Sequence, residues 1–302
     1  MTLHQPEKLK FQGTALGVRE RLLLALAAVP LLARGVAQKA RLQAWLASVP
    51  RPEAFSDGTA AAFGASLSGD LKRLTWQASG AAGTMVPHIA GFLGDAGVPQ
   101  AQMDAVRAAG QHVRPTAAGS FIEATAAGVD AGWFFPVPLT LARARAHAAT
   151  GAGNDALGKW ATAHGVTEAT GLGHACGSDC ARIELVAPDL AAGLDAFEHL
   201  DLAPPPDAAI AALAKASGNL GLSIWLGPNG LPVKLGLVAD NPTTKLVVEL
   251  CQAVGVQEDA GLASFQGLLV LDGASQVELQ WLDGNFGVEV HQFAGADALY
   301  HA

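Results

Sequence analysis

The chain has 302 residues, half of them hydrophobic and 15% charged, with a formal net charge of −8; this is material for one large domain or two small ones around a sizeable core. The acidic balance, with no basic run and no interleaving of basic and aromatic residues, excludes nucleic acid as a partner. Three cysteines are too few for a disulfide framework and point to a reducing, cytoplasmic setting.

Residues 1–18 read as a loose arm, and 19–302 as a single domain. The run from Leu22 to Ala33, preceded by Arg19 and Arg21, has the look of a signal-peptide core, but it starts well inside the chain and Pro30 interrupts it. It is also too short to span a bilayer, which takes ~20 apolar residues. It reads as buried helix, part of a helical stretch over 19–48 broken near Pro30, and no membrane span is expected. A unit of two strands followed by helix then recurs. The first pairs TAAAFGASL with DLKRLTWQA, with helices near 83–96 and 99–112. The second pairs GSFIEATA with DAGWFFP, ahead of a long helical stretch from Leu139 to His164. The third pairs VTEATGLGHAC with CARIELVA, before helices near 189–200 and 206–216. The fourth, LGLSIWLGPNGLPVKLGLVADNP, carries Asn229-Gly230 turn chemistry and runs past Pro242 into the helical TTKLVVELCQAVG. The fifth holds FQGLLVLDG, SQVELQWLDG and NFGVEVHQF, two of which are expected in the main sheet.

Five strand pairs with helices between them satisfy two architectures: a split α+β pair of domains, or one barrel wrapped by helices. The alternation of side chains bears on the choice. One face of each second strand is apolar: Leu74 and Trp76; Trp133 and Phe135; Ile183 and Leu185; Val233, Leu235 and Leu237; Val277, Leu279 and Trp281; Phe286, Val288 and Val290. The opposite face carries polar and small residues, among them Arg73, Thr75, Asp130, Gly132, Arg182, Glu184, Lys234, Glu278, Gln280, Asn285, Glu289 and His291. Helices need an apolar sheet face, so the apolar face belongs outside and the mixed face lines a ligand chamber. An open antiparallel sheet with one solvated face gives the same alternation.

Several strings, VAQKARLQAWLASV, DAGWFFP, HGVTEATGL leading into CARIELVAPDLAAGLDAF, LSIWLGPNGLPVKLGLVADNP and NFGVEVHQF, together with the order of units, resemble the soluble bacterial aromatic prenyltransferases, the ABBA or PT-barrel family, over about residues 35–293. The resemblance implies an α+β fold in which five αββα repeats close a ten-stranded antiparallel barrel, helices outside and a ligand chamber in the lumen. It implies transfer of an isoprenoid group from its diphosphate to an aromatic or indole-like acceptor, in natural-product biosynthesis, by a monomer. Family members hold the diphosphate with a crown of Lys, Arg and Tyr side chains, and some use Mg²⁺ near an Asp of the first unit.

Carried onto this chain, that crown is degenerate. The family's basic positions fall at Asp130, Cys180, Pro232 and Asn285, its Mg²⁺-linked Asp at Thr75, and its lumen tyrosines at Gly132, Val186 and Glu289. Arg182 and Lys234 stand two residues deeper than Cys180 and Pro232, and with Arg73 they form a displaced basic set. Glu123, Asp130, Glu184, Glu278 and Glu289 oppose it, and such charges also serve as plain structural ion pairs. Thr75, Asn285, Glu123, Glu278, Gln280, Phe134 and Trp225 complete the expected substrate-binding wall, with Trp225 and Phe134 placed to face a cation. Mg²⁺ is possible, but its family Asp is not matched.

The carboxylates point to a second chemistry. Glu184, Glu289, His291 and Asp130 are candidate acid–base groups, Glu289 and His291 sharing one strand face. On that alternative the barrel cyclises or rearranges a hydrophobic natural-product intermediate without a diphosphate; a third is a non-catalytic carrier. His174, Cys176 and Cys180 have metal-ligand residue types across a tight hairpin, leaving zinc, a disulfide or free thiols open, although no fourth ligand is evident. Cys251 reads as core, and His88, His112, His147, His164 and His199 as surface or capping groups. No GxSxG, P-loop or dinucleotide fingerprint is present.

Overall fold

The apolar and mixed faces separate as the alternation requires except at Val233, which joins the inner cluster beside a bulge between Pro232 and Lys234, and their separation builds the molecule. The computed structural model describes residues 36–50, 54–56, 62–69, 73–125, 128–216, 218–256 and 276–294. The N-terminal run before residue 36 and the FQGLLVLDG segment lie outside these residues. The elements are α1 (Val36–Ser48), β1 (Ala62–Ser68), β2 (Arg73–Ala81), α2 (Ala82–Asp95), α3 (Gln100–Val113), β3 (Ala117–Thr125), β4 (Val129–Phe135), β5 (Leu139–Thr140), α4 (Leu141–Arg145), α5 (Ala152–His164), β6 (Glu168–Ala169), β7 (Gly171–Ala175), β8 (Cys180–Ala187), α6 (Leu190–His199), α7 (Asp207–Leu213), β9 (Leu220–Leu226), β10 (Pro232–Asp240), α8 (Thr244–Ala253), β11 (Gln276–Leu282) and β12 (Asn285–Ala294).

The large sheet is antiparallel throughout and curls until its edges meet. The strands run β1-β12-β11-β10-β9-β8-β7-β4-β3-β2, and β2 returns to β1. Closure removes the sheet edges. Connections of a few residues link β1 to β2, β3 to β4, β7 to β8, β9 to β10 and β11 to β12 at one end, the hairpin end. The longer, helix-containing connections lie at the other, the helix end.

Trp76, Ile122, Phe135, Ile183, Ile224, Leu237, Leu279 and Val290 point outward into one continuous core beneath the helices. Trp45 of α1 is fully buried there and donates its Nε1–H to Ser120 Oγ on β3 at 3.1 Å. Trp160 of α5 does the same to the Ala192 carbonyl of α6 at 2.9 Å. Asp189 caps α6 by accepting from Ala192 N, and Thr243 caps α8 by accepting from Leu246 N. The β9–β10 turn is held as its sequence implies, with Gly230 at φ 69° and Asn229 Oδ1 accepting from Leu231 N.

The stretch from Leu139 to His164 is not one helix. Leu139–Thr140 pairs with Glu168–Ala169 as a small second sheet, and the helix divides into α4 and α5. Asn154 makes the break: its side-chain amide donates to the carbonyls of Arg145 and Ala149 and accepts from Arg145 Nε. Gly151 meanwhile approaches the Asn229 carbonyl so closely that no Cβ fits. VTEATGLGHAC is likewise divided, with β6 and β7 separated at Thr170. Among the described residues, no helix is long and apolar enough to cross a membrane.

Glycines thin the inner wall. A Cβ on Gly132 would overlap the Phe121 ring and the His174 carbonyl, whereas one on Gly83, in α2, meets nothing within 4 Å. Gly132→Ala is therefore expected to lower unfolding stability by about 1–3 kcal/mol through overpacking. Gly83→Ala is expected to raise it by about 0.5–1 kcal/mol through helix propensity. Urea melts of the two variants check this, and equal effects would contradict the placement of these glycines.

Candidate active site in the barrel lumen

β1, β2, β10, β11 and β12 each send polar side chains inward toward the hairpin end, where they form one buried network. Lys234 Nζ lies 3.2 Å from Glu278 Oε1 and 3.3 Å from Glu289 Oε2. Arg73 donates to Glu289 Oε2 at 2.9 Å and has its Nε 3.7 Å from Glu123 Oε2. Ser66 donates to the second oxygen of Glu289, and Thr75 donates to Glu123 at 3.3 Å. His291 Nε2 shares a hydrogen bond with Glu278 Oε2 at 3.2 Å. Glu278 and Glu289 are 2% and 3% exposed, and Arg73 and Lys234 7% and 8%. Charges so buried persist only when paired.

Burial alone would raise the carboxyl of Glu278, but the Lys234 ammonium and the His291 hydrogen bond more than offset it and hold it down at about 2. Burial is likewise overcome at Glu289, where Lys234 and then Arg73 keep the carboxyl well below the usual range. Glu123 goes the other way: burial raises its carboxyl against the pull of Arg73. Two cations thus sit against two firmly ionised carboxylates.

The third lumen cation is also paired. Arg182 donates to Glu184, two residues along β8, and its guanidinium lies 5.5 Å from the centroid of Trp225. Lys234 lies 5.9 Å from the same ring. Trp225 meets Phe121 edge-on, and the two join Phe134, Val233, Ala175 and Cys180 in a small inner apolar cluster. Toward the helix end the lumen opens into a cavity of about 420 Å³, within the size range of small-molecule sites. Arg182, Glu184, Ser223, Glu278 and His291 are among its lining residues, and Phe134 and Val186 supply apolar surface.

The lumen therefore gathers Arg73, Thr75, Glu123, Phe134, Arg182, Glu184, Trp225, Lys234, Glu278, Gln280, Glu289 and His291. Two candidates lie elsewhere. Asp130 accepts from the backbone N–H groups of Ala131, Gly177 and Ser178 and from the Ser178 hydroxyl, so its carboxylate clamps the β7–β8 turn. Asn285 is exposed at the β11–β12 turn, where its side chain donates to the Asp283 carbonyl. His291 bonds across the sheet to Glu278 and also lies within coupling reach of Glu289, its neighbour on the strand face, as the strand pattern implies. Ser66 and Ser223 were missed: each is a small polar residue at an inward position of a first strand, and the second strands carry the plainer alternation.

Glu278, Glu289 and His291 present ligand atoms within 4.8 Å of one another. The set does not fit Mg²⁺, because the Lys234 ammonium already stands against both carboxylates and Thr75 offers no carboxylate at the family's Asp position. The three cysteines are free. Cys176 packs in the outer core and Cys180 in the inner cluster, so the thiols lie on opposite faces of the sheet. Outside the barrel, His164 and His199 both contact Asp195 and tie α5 to α6, while His88 and His147 are partly buried and their imidazoles are shifted down by that burial.

The pKa displacements fix the sign of the acid response. Glu278 and Glu289 have folded values below their unfolded ones, so their stabilisation is present above about pH 4.5 and is lost as pH falls toward 2. Lys234→Met is expected to cost about 3–5 kcal/mol at pH 7 by leaving both carboxylates buried beside one guanidinium, and this cost is expected to shrink as pH falls, because the carboxyls lose the cation that held them down and protonation removes their unpaired charge. Unfolding curves between pH 2 and 7 check both; a variant as stable as the parent would show that Lys234 is not bound into the network. Asp130→Ala is expected to cost about 1–3 kcal/mol without altering the lumen, because it frees turn donors.

No known family model matches the sequence. A PH domain-containing protein of Dictyostelium discoideum is 30% identical over 274 residues, 86% of this chain, and the chain spans 59% of that protein's length. Among solved structures, AnaPT from Neosartorya fischeri superposes with a TM-score of 0.61 at 10% identity, over 94% of this chain and 95% of that one. NotF in complex with brevianamide F and DMSPP superposes with a TM-score of 0.58 at 12% identity, over 95% and 97%. Such structural agreement over nearly the whole length of both chains, around a lumen lined as described, gives this chain the fold of the ABBA aromatic prenyltransferases.

Proposed function

We propose that the chain is a prenyltransferase-like enzyme, built as one barrel domain of five αββα repeats, that receives a small aromatic or otherwise hydrophobic molecule in its lumen and acts on it by acid–base chemistry. One observation carries the reading: Arg73, Arg182 and Lys234, the three basic side chains sent into the lumen by β2, β8 and β10, are each in an ion pair with a lumen carboxylate. A diphosphate would have to displace Glu278 and Glu289 from cations that hold them ionised. An uncharged ligand leaves the network intact.

Glu278 and His291 are the pair best suited to the chemistry. Both line the cavity and they are hydrogen-bonded to each other. Glu278, held ionised, orients the imidazole, and His291 exchanges the proton with the ligand; positioned groups of this kind contribute ~10²–10⁴-fold. Glu289 stays ionised behind them, and Phe134 and Trp225 offer ring faces to a developing cation.

Transfer of an isoprenoid group from its diphosphate to an aromatic acceptor is the second reading. It is favoured by the fold shared with NotF, whose structure holds DMSPP, and by the two cations flanking Trp225. Calorimetric titration with dimethylallyl and geranyl thiolodiphosphate, with and without Mg²⁺, separates the two. The first reading expects no binding up to millimolar concentration. Micromolar binding that disappears in Lys234→Ala would overturn it in favour of the second.

A further inference from the structure

We propose that the first turn of α5 is a positioning element for the lumen: by holding the β9–β10 turn it forces one extra residue into β10, and that residue, Val233, turns inward and fixes the ring of Trp225. This rests on the reading of the lumen as a ligand chamber, in which Trp225 is part of the wall.

Two registers meet within β10, and they differ by one residue. At the turn, Pro228-Asn229-Gly230 closes a three-residue loop. Gly227 N–H donates to the Leu231 carbonyl at 2.9 Å and Gly230 N–H to the Gly227 carbonyl at 2.8 Å, with Gly230 in the left-handed region at φ 69°. That closure pairs Pro232 with Leu226. Farther along, the outward leucines decide. Leu235 pairs with Ile224 and Leu237 with Leu222, all buried in the outer core, and this pairs Lys234 with Trp225. Leu226 and Trp225 are consecutive, but Pro232 and Lys234 are not. Val233 is the surplus residue, and the ladder accommodates it as a bulge. Simple alternation would turn Val233 outward beside Leu235 and Leu237. The bulge turns it inward instead. There it lies over Gly227, where a Cβ would stand 3.2 Å from a Val233 methyl, and packs in the cluster of Phe121, Trp225, Ala175 and Cys180.

A surplus residue can be absorbed by a bulge or by a longer loop, and the α4–α5 junction removes the second choice. Gly151 and Gly153 bring their backbones against the turn from outside. A Cβ on Gly151 would overlap the Asn229 carbonyl, and one on Gly153 would stand 2.6 Å from the Gly230 carbonyl and 2.8 Å from Pro232 Cδ. Asn154 N–H donates to the Gly230 carbonyl at 3.2 Å, and the Asn154 side chain ties the same segment back to Arg145 and Ala149. The loop is thus held at three residues, and the surplus falls on Val233. Trp225 is where this matters. Its ring centroid lies 5.5 Å from the Arg182 guanidinium, 5.9 Å from Lys234 Nζ and 5.9 Å from the Phe121 ring. Its indole N–H is buried with no hydrogen-bond partner, so packing rather than a hydrogen bond orients it, unlike Trp45 and Trp160, whose N–H groups are bonded. Val233 acts through Trp225, and Gly153 and Asn154 act through Val233.

Nuclear magnetic resonance of the full chain, with labelled valine methyls and labelled indoles, tests each link. Val233→Ala identifies the Val233 methyl signals, and Trp225→Phe the Trp225 indole. The proposal expects Overhauser contacts from the Val233 methyls to the Trp225 and Phe121 rings in the parent, and their loss in Gly153→Ala. Asn154→Ala keeps the backbone donor and is the milder variant, expected to weaken the same contacts. In Val233→Ala the Trp225 indole N–H is expected to exchange with solvent about tenfold faster, while those of Trp45 and Trp160 keep the parent rate. Val233→Ile is expected to keep all three rates. Contacts of the parent Val233 to the outer core instead of Trp225 would overturn the proposal. So would contacts to Trp225 that survive in a folded Gly153→Ala or, where that variant does not fold, are unchanged in Asn154→Ala. Trp225 exchange that rises in Val233→Ala no more than that of Trp45 and Trp160 would overturn it as well. None of these readings needs a ligand, so failure here leaves the acid–base reading standing. Diphosphate binding, which would end that reading, leaves the Val233 contacts in place.

Discussion

The constraint on which the lumen depends is the desolvation of Glu278 and Glu289. Two carboxylates placed side by side at 2% and 3% exposure are unfavourable unless a cation stands against both. Lys234 does so from β10, the hydrogen-bonded neighbour of β11, and Arg73 completes the arrangement from β2. Consecutive strands of the ring, β10, β11, β12, β1 and β2, are thereby tied together on their inner face by charge and hydrogen bonds, in a region where an apolar core would otherwise fill the barrel. The pairing keeps the interior polar, leaves room for a cavity, and fixes which groups are ionised.

The same pairing shapes the chemistry. In this fold a lumen of free cations would draw in a polyanion; here the cations are already engaged. Firmly ionised Glu278 is a poor acid but a good orienting partner, so in the proposed acid–base reading the proton transfer falls to His291. Glycine is the other half of the design. Gly236 and Gly171 let Glu278 and Glu184 lie against the wall, and Gly119 and Gly132 do the same for Phe134 and Phe121. Large side chains lie flat because their cross-strand neighbours have none, and the space in front of them is the chamber.

Much of this was legible in the sequence because side-chain alternation is a local property. The outward sets Leu74 and Trp76, Ile183 and Leu185, or Leu279 and Trp281 mark the helix-covered face without any tertiary information. The inward Arg73, Lys234, Glu278 and Glu289 follow by exclusion. What alternation cannot supply is partner choice between neighbouring strands. His291 and Glu289 share a strand, yet the imidazole reaches Glu278 on β11, because register rather than spacing decides which inward side chains meet. Asp130 shows the same limit at a strand end: its position is inward, but the β7–β8 turn offers unpaired N–H donors close by and takes the carboxylate. The break between α4 and α5 escaped because Asn154 and Gly151 act through contacts with the distant β9–β10 turn and the preceding α4 end.

The central claim is that Lys234 and Glu278 are coupled inside the lumen and that this coupling, rather than an open anion site, is the lysine's place in the protein. A double-mutant cycle with Lys234→Met, Glu278→Gln and the pair of substitutions together, read by urea denaturation at pH 7, tests it most directly. The account predicts a coupling energy of about 2 kcal/mol or more, with the double variant more stable than Lys234→Met alone. A coupling within about 0.5 kcal/mol of zero, the range expected of independent sites, would contradict it.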